Sequence, residues 1–217
     1  MRSYRNKLKQ IQLMMEELKL DVLCLTETWL KMNEECAFPP MCNVLRNDRP
    51  TRGGGVSIIL MDYLKMCAIE VDISDWKTPH SVEFLCVTVQ NNYYKSAVIC
   101  VVYRTKYISN DLYNLDLLFE FLCNLGKRVY VLGDFNVNYF DTNNKHCKSL
   151  CNILERHDLT QFTQHPTRDN NLLDWILSND KSHMDVKMHD FSISDHLLST
   201  CEILFYKKKT QCKTSCI

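Results

Sequence analysis

Apolar and polar positions change period along this chain, and each change marks an element. Leu8, Ile11, Met15 and Leu18 recur at the spacing that lines one face of a helix. The charged "EELKLD" then gives way to "DVLCLTE", a short apolar run that reads as a strand with its polar end at Glu27. After the basic, glycine-containing "RNDRPTRGGG", Val56, Ile58 and Leu60 alternate as a half-buried strand does, so the triple glycine predicts a turn. Further strands are expected at "SVEFLCVTV", "SAVICVVYR", "RVYVLGDFN" and "LLDWILS". Helices are expected at "NDLYNLDLLFEFLCNLG" and "NKHCKSLCNILERHDL". The first of these would be capped by Ser109 or Asn110, stopped by Gly126, and buried along Leu112, Leu115, Phe119 and Leu122. Finally "ISDHLLSTCEILFY" leads into a basic tail. Strands alternating with helices, some strands adjacent without a helix between them, predict an α/β layered fold with mixed sheets. The pattern leaves a doubly wound sheet and a two-sheet sandwich both open.

Composition narrows this to one domain, because 217 residues at 46% hydrophobic content suffice for a single large core. Lys plus Arg and Asp plus Glu balance at 26 each, so any polyanion contact must come from local patches. No run approaches the roughly 18 apolar residues of a membrane span, and the amphipathic start is not signal-like, so an intracellular protein is expected. Of twelve cysteines, Cys24, Cys86 and Cys100 lie inside apolar strand-like runs and there is no CxxC. Reduced thiols serving as small core residues are therefore favoured over a disulfide framework. The pairs Cys147 with Cys151 and Cys212 with Cys216 lack a second pair at zinc-finger spacing, which makes a structural zinc site the lesser reading.

Several apolar strands end in polar groups: Glu27, Tyr103 with Arg104, Asp134 with Asn136, Asp174, and Asp195 with His196. Loops at strand ends are where α/β folds build sites, although any one such residue is as readily a turn or cap. Together, carboxylates, an amide, a tyrosine and a histidine are the inventory for metal-assisted phosphoryl transfer. A hard cation such as Mg²⁺ binds through one or two carboxylates and keeps room for phosphate oxygens. A histidine held by a carboxylate can stabilise developing charge while a second acid activates water. Gly53 to Gly55 are followed by no Gly-Lys-Ser/Thr and form no GxGxxG, so they carry no phosphate-loop signature.

The motifs "LTETW", "GDFN", "LLDWIL" and "SDH", in this order, resemble the endonuclease/exonuclease/phosphatase superfamily, which includes deoxyribonuclease I and the apurinic/apyrimidinic endonucleases. The closer resemblance is to the endonuclease domain of non-LTR retrotransposons, through "DVLCLTETWL", "RGGGVSIIL", "VVYR", "GDFNVNYFD", "LTQFTQHPTR" and "ISDH" across nearly the whole chain. The resemblance implies a deoxyribonuclease I-like, four-layer α/β sandwich of two packed mixed β-sheets flanked by helices. It also implies phosphodiester cleavage with Mg²⁺, or Mn²⁺, and DNA as the partner of a nuclear, monomeric enzyme that nicks one strand to leave a 3′-hydroxyl. Carried over by motif, Glu27 would be the main metal ligand with Asp195 near the metal. Asp134 would orient or deprotonate the attacking water, and Asn136 would steady the phosphate or that water. Tyr103 would lie at the scissile phosphate, and His196, paired with Asp174, would stabilise the transition state. Arg46, Arg49, Arg52, Arg104 and Lys106 are candidate phosphate contacts, with solvated loop charges as the equal alternative. Trp29 and Trp175 read as core or rim aromatics, and His80, His146, His157, His165, His183 and His189 carry no motif.

Relatives of this kind begin with a strand ending in an asparagine, and "MRSYRNK" starts one residue after it. The expectation is a domain over 1–206 lacking its first strand, then a basic, Cys-containing tail over 207–217, with activity weakened by the missing amide. A non-catalytic nucleic-acid-binding relic and a phosphoesterase of small substrates are the competing readings.

Overall fold

A computed structural model describes residues 3–50, 52–78, 81–90, 96–105 and 110–203. The elements run α1 (Leu8–Leu18), β1 (Val22–Thr26), β2 (Cys42–Asn47), β3 (Val56–Met61), β4 (Lys65–Ala68), β5 (Val82–Gln90), β6 (Ala97–Arg104) and α2 (Asp111–Asn124). There follow β7 (Arg128–Asp134), α3 (Lys145–Arg156), β8 (Thr160–Gln161), β9 (Asp174–Ser178), β10 (Val186–His189) and β11 (Leu198–Cys201). The expected helices and long strands form where the periodicity put them. Ser109, Lys106, His80 and the 207–217 tail lie outside the described residues.

Strand order is β4-β5-β6-β7-β9-β8 in a six-stranded sheet and β1-β3-β2 in a smaller one, with β10 and β11 paired apart from both. The large sheet is mixed because β6 and β7 run parallel, joined by α2 as a parallel pair requires. The smaller sheet and the β10–β11 pair are antiparallel. The second sheet of the expected sandwich is thus present in two pieces.

Alternation along the strands fixes the layers. On β6, Val98, Cys100 and Val102 pack with Leu115, Leu118, Phe119 and Leu122 of α2 and with Leu150 and Ile153 of α3. The intervening Ile99, Val101 and Tyr103 face the other way, against Val56, Ile58 and Leu60 of β3. Leu23 and Leu25 of β1 then turn their outer face to Ile11, Met14 and Met15 of α1. The order is helices, large sheet, small sheet, helix, which is the expected four-layer sandwich. Each fully buried aliphatic or aromatic side chain contributes about 1.5–3 kcal/mol.

Two local expectations change. Leu112 is only partly buried and Leu118 with Asn114 takes its place in the stripe of α2. Asn110 holds the cap position in a left-handed conformation (φ 67°) without a side-chain cap bond, whereas Asn144 caps α3 by accepting from the His146 and Cys147 amides. Among the described residues no helix is long and apolar enough to cross a membrane.

Candidate active site

Register builds the site. Glu83 of β5 stands opposite Tyr103 of β6, Tyr103 beside Asp134 of β7, and Asp134 opposite Asp174 of β9. Side chains in direct register project from the same face, so these polar groups form one transverse row at the end of the large sheet. That face looks toward the small sheet, from which Glu27 arrives at the end of β1. The Tyr103 hydroxyl donates to Glu27 Oε1 at 2.5 Å and joins the two sheets. Burial first, then Glu27, pushes the Tyr103 pKa up, so the phenol stays a donor.

Asp134 is buried, and its Oδ1 accepts from the Asn136 amide at 2.8 Å. Asn136 is left-handed at φ 50°, a conformation asparagine tolerates, and its Nδ2 donates to the Arg104 carbonyl at 2.8 Å. Phe135 between them stacks on Trp175 at 5.1 Å, and its amide donates to the Leu173 carbonyl at 2.9 Å. Trp175 is a core residue, as expected; Trp29 instead lies under Arg52, whose guanidinium is 5.3 Å from the ring centre.

His196 Nδ1 and Asp174 Oδ2 are 2.7 Å apart. The buried Thr167 knits this pair together: its hydroxyl accepts from the Asp174 amide at 3.0 Å and its carbonyl from the Leu197 amide at 2.7 Å. Ligand atoms of Asp134, Asp174 and His196 lie within 4.8 Å of one another. Glu27 is not part of that trio and meets it through Tyr103. Asp195 is exposed and pairs with Arg168 at 2.8 Å.

Sequence reasoning missed Glu83, Thr167 and Arg168. Glu83 accepts from the Gly55 amide at 2.5 Å and pairs with Arg49, while burial raises its pKa. The Gly54 and Gly55 carbonyls accept from the Trp29 and Thr28 amides, so the glycine loop braces the backbone that carries Glu27. A Cβ on Gly55 would stand 2.5 Å from Thr28 Oγ1. The predicted turn is therefore also a packing element.

The expected phosphate contacts fare unequally. Arg46 pairs with Asp48 at 3.0 Å and donates to the Glu34 carbonyl, and Arg49 is held by Glu83. Arg52 is exposed. Arg104 is a correction: it is 0% exposed, with Asp111 Oδ2 at 2.6 Å and the Phe135 carbonyl at 3.0 Å. The reason is strand alternation, which sends Arg104 to the helix side of β6 when Tyr103 faces the site.

Charge in this cluster depends on neighbours. Burial, then the Asp174 carboxylate, pushes the Asp134 pKa up to about 7. Burial alone would lower that of His196, but the hydrogen bond and charge of Asp174 carry it above the ordinary imidazole value. Between an unfolded value of 3.8 and about 7, the folded chain holds an Asp134 proton that the unfolded chain has released. This residue's contribution to stability is therefore highest below pH 4 and declines as pH rises toward 7. His196 has the same sign, since its stabilisation is lost as pH rises through its raised pKa. Asp134→Asn is expected to melt close to wild type at pH 4 and higher than wild type at pH 7, a gap on the order of a few kcal/mol. Metal-free melting curves at the two pH values check this; a gap that closes toward pH 7 would contradict the burial of the charge.

The family model described as Endonuclease/Exonuclease/phosphatase family matches residues 2–196. No curated protein matches the chain. Among solved structures, a 3′ phosphatase, NExo, from Neisseria, bound to a product DNA hairpin, superposes with a TM-score of 0.68 at 16% identity, covering 93% of this chain and 95% of that one. The endonuclease domain of TRAS1, a telomere-specific non-LTR retrotransposon, gives 0.67 at 14% identity, with 89% and 90% covered. An AP endonuclease from Archaeoglobus fulgidus gives 0.65 at 17% identity, with 93% and 95% covered. At such identities the likeness is one of fold.

Proposed function

We propose that this chain, which belongs to the Endonuclease/Exonuclease/phosphatase family, is a divalent-metal-dependent phosphodiesterase that nicks DNA and leaves a 3′-hydroxyl. The observation that carries the reading is the convergence of buried Asp134 with the Asp174–His196 pair within 4.8 Å. The fold shared with the TRAS1 endonuclease domain supports DNA as the substrate.

Asp134, with a pKa near 7, is a base matched to neutral pH, and it orients or deprotonates the water nucleophile. Asp174 fixes the Nδ1 proton of His196, so Nε2 faces the reacting phosphate. The raised pKa keeps the ring a donor to the oxygen on which charge develops. Asn136, with one amide hydrogen committed to the Arg104 carbonyl, steadies the phosphate or the water with its remaining groups. Tyr103 sits beside Asp134 in register, and from there it would meet the scissile phosphate.

A hard cation fits this donor set, since carboxylate oxygens such as those of Glu27 and Asp195 are its preferred ligands, and its charge would offset the burial and the Asp174 carboxylate that raise the Asp134 pKa. Glu27, with one oxygen fixed by Tyr103, would hold it, and Asp195 would be its second carboxylate. When bound, Mg²⁺ or Mn²⁺ supplies charge neutralisation of the phosphate. Arg52, exposed above the Trp29 ring, would add a phosphate contact.

The test is conversion of supercoiled plasmid to open circles. Mg²⁺ is expected to support it, and EDTA or the combined Asp134→Ala and His196→Ala substitutions to reduce it to background. Nicking equal to that of the doubly substituted protein would sink the proposal. DNA retention without cleavage would favour a binding relic, and release of phosphate from small monoesters a small-substrate enzyme.

A further inference from the structure

The buried guanidinium of Arg104 has no place in the chemistry above, yet it touches three elements. Its side chain leaves the last residue of β6 on the face opposite Tyr103. Nη2 meets Asp111 Oδ2, in the first turn of α2, at 2.6 Å, and Nη1 donates to the Phe135 carbonyl at 3.0 Å. In return, the Arg104 carbonyl accepts from Asn136 Nδ2 at 2.8 Å. Phe135 lies between Asp134 and Asn136, so the arginine grips the catalytic turn from both its backbone and its side chain.

We infer that Arg104 is a positioning residue, one that sets where Asp134 and Asn136 stand through the Phe135 carbonyl and its own. A carbonyl bonded to a fully buried guanidinium has little freedom, because the charge must keep its acceptors once it is out of water. Asp111 neutralises that charge and anchors it to α2, which otherwise begins at Asn110 without a side-chain cap bond. The turn needs such a hold. Asn136 is left-handed at φ 50°, and its amide donates to Asp134 Oδ1 at 2.8 Å. Lysine at position 104 keeps the charge but not the fork, and cannot hold Asp111 and Phe135 together in the same way.

This inference rests on the phosphodiesterase reading only for its kinetic consequence, so the experiment has two readouts on the full chain. The first is amide hydrogen exchange in Arg104→Lys. Exchange at Phe135 to Val137 is expected to accelerate about tenfold, with α3 and β1 unchanged. The second is kinetics. Turnover number is expected to fall by about 10- to 100-fold with KM within about threefold, the signature of misplaced reacting groups. If Arg104→Lys fails to fold, Arg104→Met combined with Asp111→Leu removes both charges and leaves neither buried alone. Exchange at 135–137 equal to wild type, or acceleration spread evenly over the sheet, would overturn the inference, as would a turnover number within about threefold of wild type or the failure of both variants to fold. If wild type turns over no DNA, the proposed function falls while the exchange result still decides the role of Arg104.

Discussion

Gly133→Ala is expected to destabilise the fold by more than about 4 kcal/mol, the range reserved for substitutions with a specific steric cause. Gly133 is the penultimate residue of β7 and stands in register with Val102 of β6. A Cβ there would lie 1.8 Å from the Val102 carbonyl oxygen and under 3 Å from that residue's carbonyl carbon and nitrogen. The obstacle is backbone in the middle of a paired strand, so no side chain can swing aside. Its φ of 153° adds strain for any residue with a Cβ. Relief requires β6 and β7 to part where Tyr103 and Asp134 sit side by side. Circular dichroism melts and urea titration measure the loss; a variant melting within a few degrees of wild type would show that the strands can separate without cost.

His196→Ala is expected to reduce DNA nicking by about 10²- to 10⁴-fold at neutral pH, with the fold retained. The ring is only part-buried, so truncation opens no large cavity, but the donor to the developing charge is gone. Asp174→Asn should lower the rate through the same route, because an amide no longer raises the imidazole pKa or holds its Nδ1 proton. The two effects should combine to far less than their product. Initial rates on supercoiled plasmid for both single variants and the double measure this. A His196→Ala rate within about threefold of wild type would remove the histidine from the mechanism.

Much of this architecture was legible because strand alternation and helix spacing both report which face is buried. β1, β3, β5, β6, β7 and β9 each carry an apolar run long enough to read. β2, β4 and β10 were not legible: "CNVLRN", "KMCA" and "VKMH" are short and only partly buried, so no apolar face stands out. Arg104 was misread because adjacency to Tyr103 suggested a shared site, whereas the alternation of Val98, Cys100 and Val102 already placed it with the helix-facing set. The same rule would have found Glu83, which falls in line with Leu85, Val87 and Val89 on the inter-sheet face. Thr167 and Arg168 sit in a loop, where no period tells which side chain turns inward. The convergence of Asp134, Asp174 and His196 required the strand register, and the motifs supplied only their order.

The transverse row also governs when the site can exist during synthesis. Glu83, Tyr103, Asp134 and Asp174 come from four strands, and β9, which supplies the last of them, inserts between β7 and the earlier-made β8. Trp175, a large part of the core against Phe135, arrives on the same strand. A nascent chain ending before β9 can close neither that core nor the row, and His196 emerges later still. Long-range pairing of this kind forms slowly and late. Assembly of the cluster is thereby tied to completion: a ribosome-bound or prematurely terminated fragment cannot bring Asp134, Asp174 and His196 together.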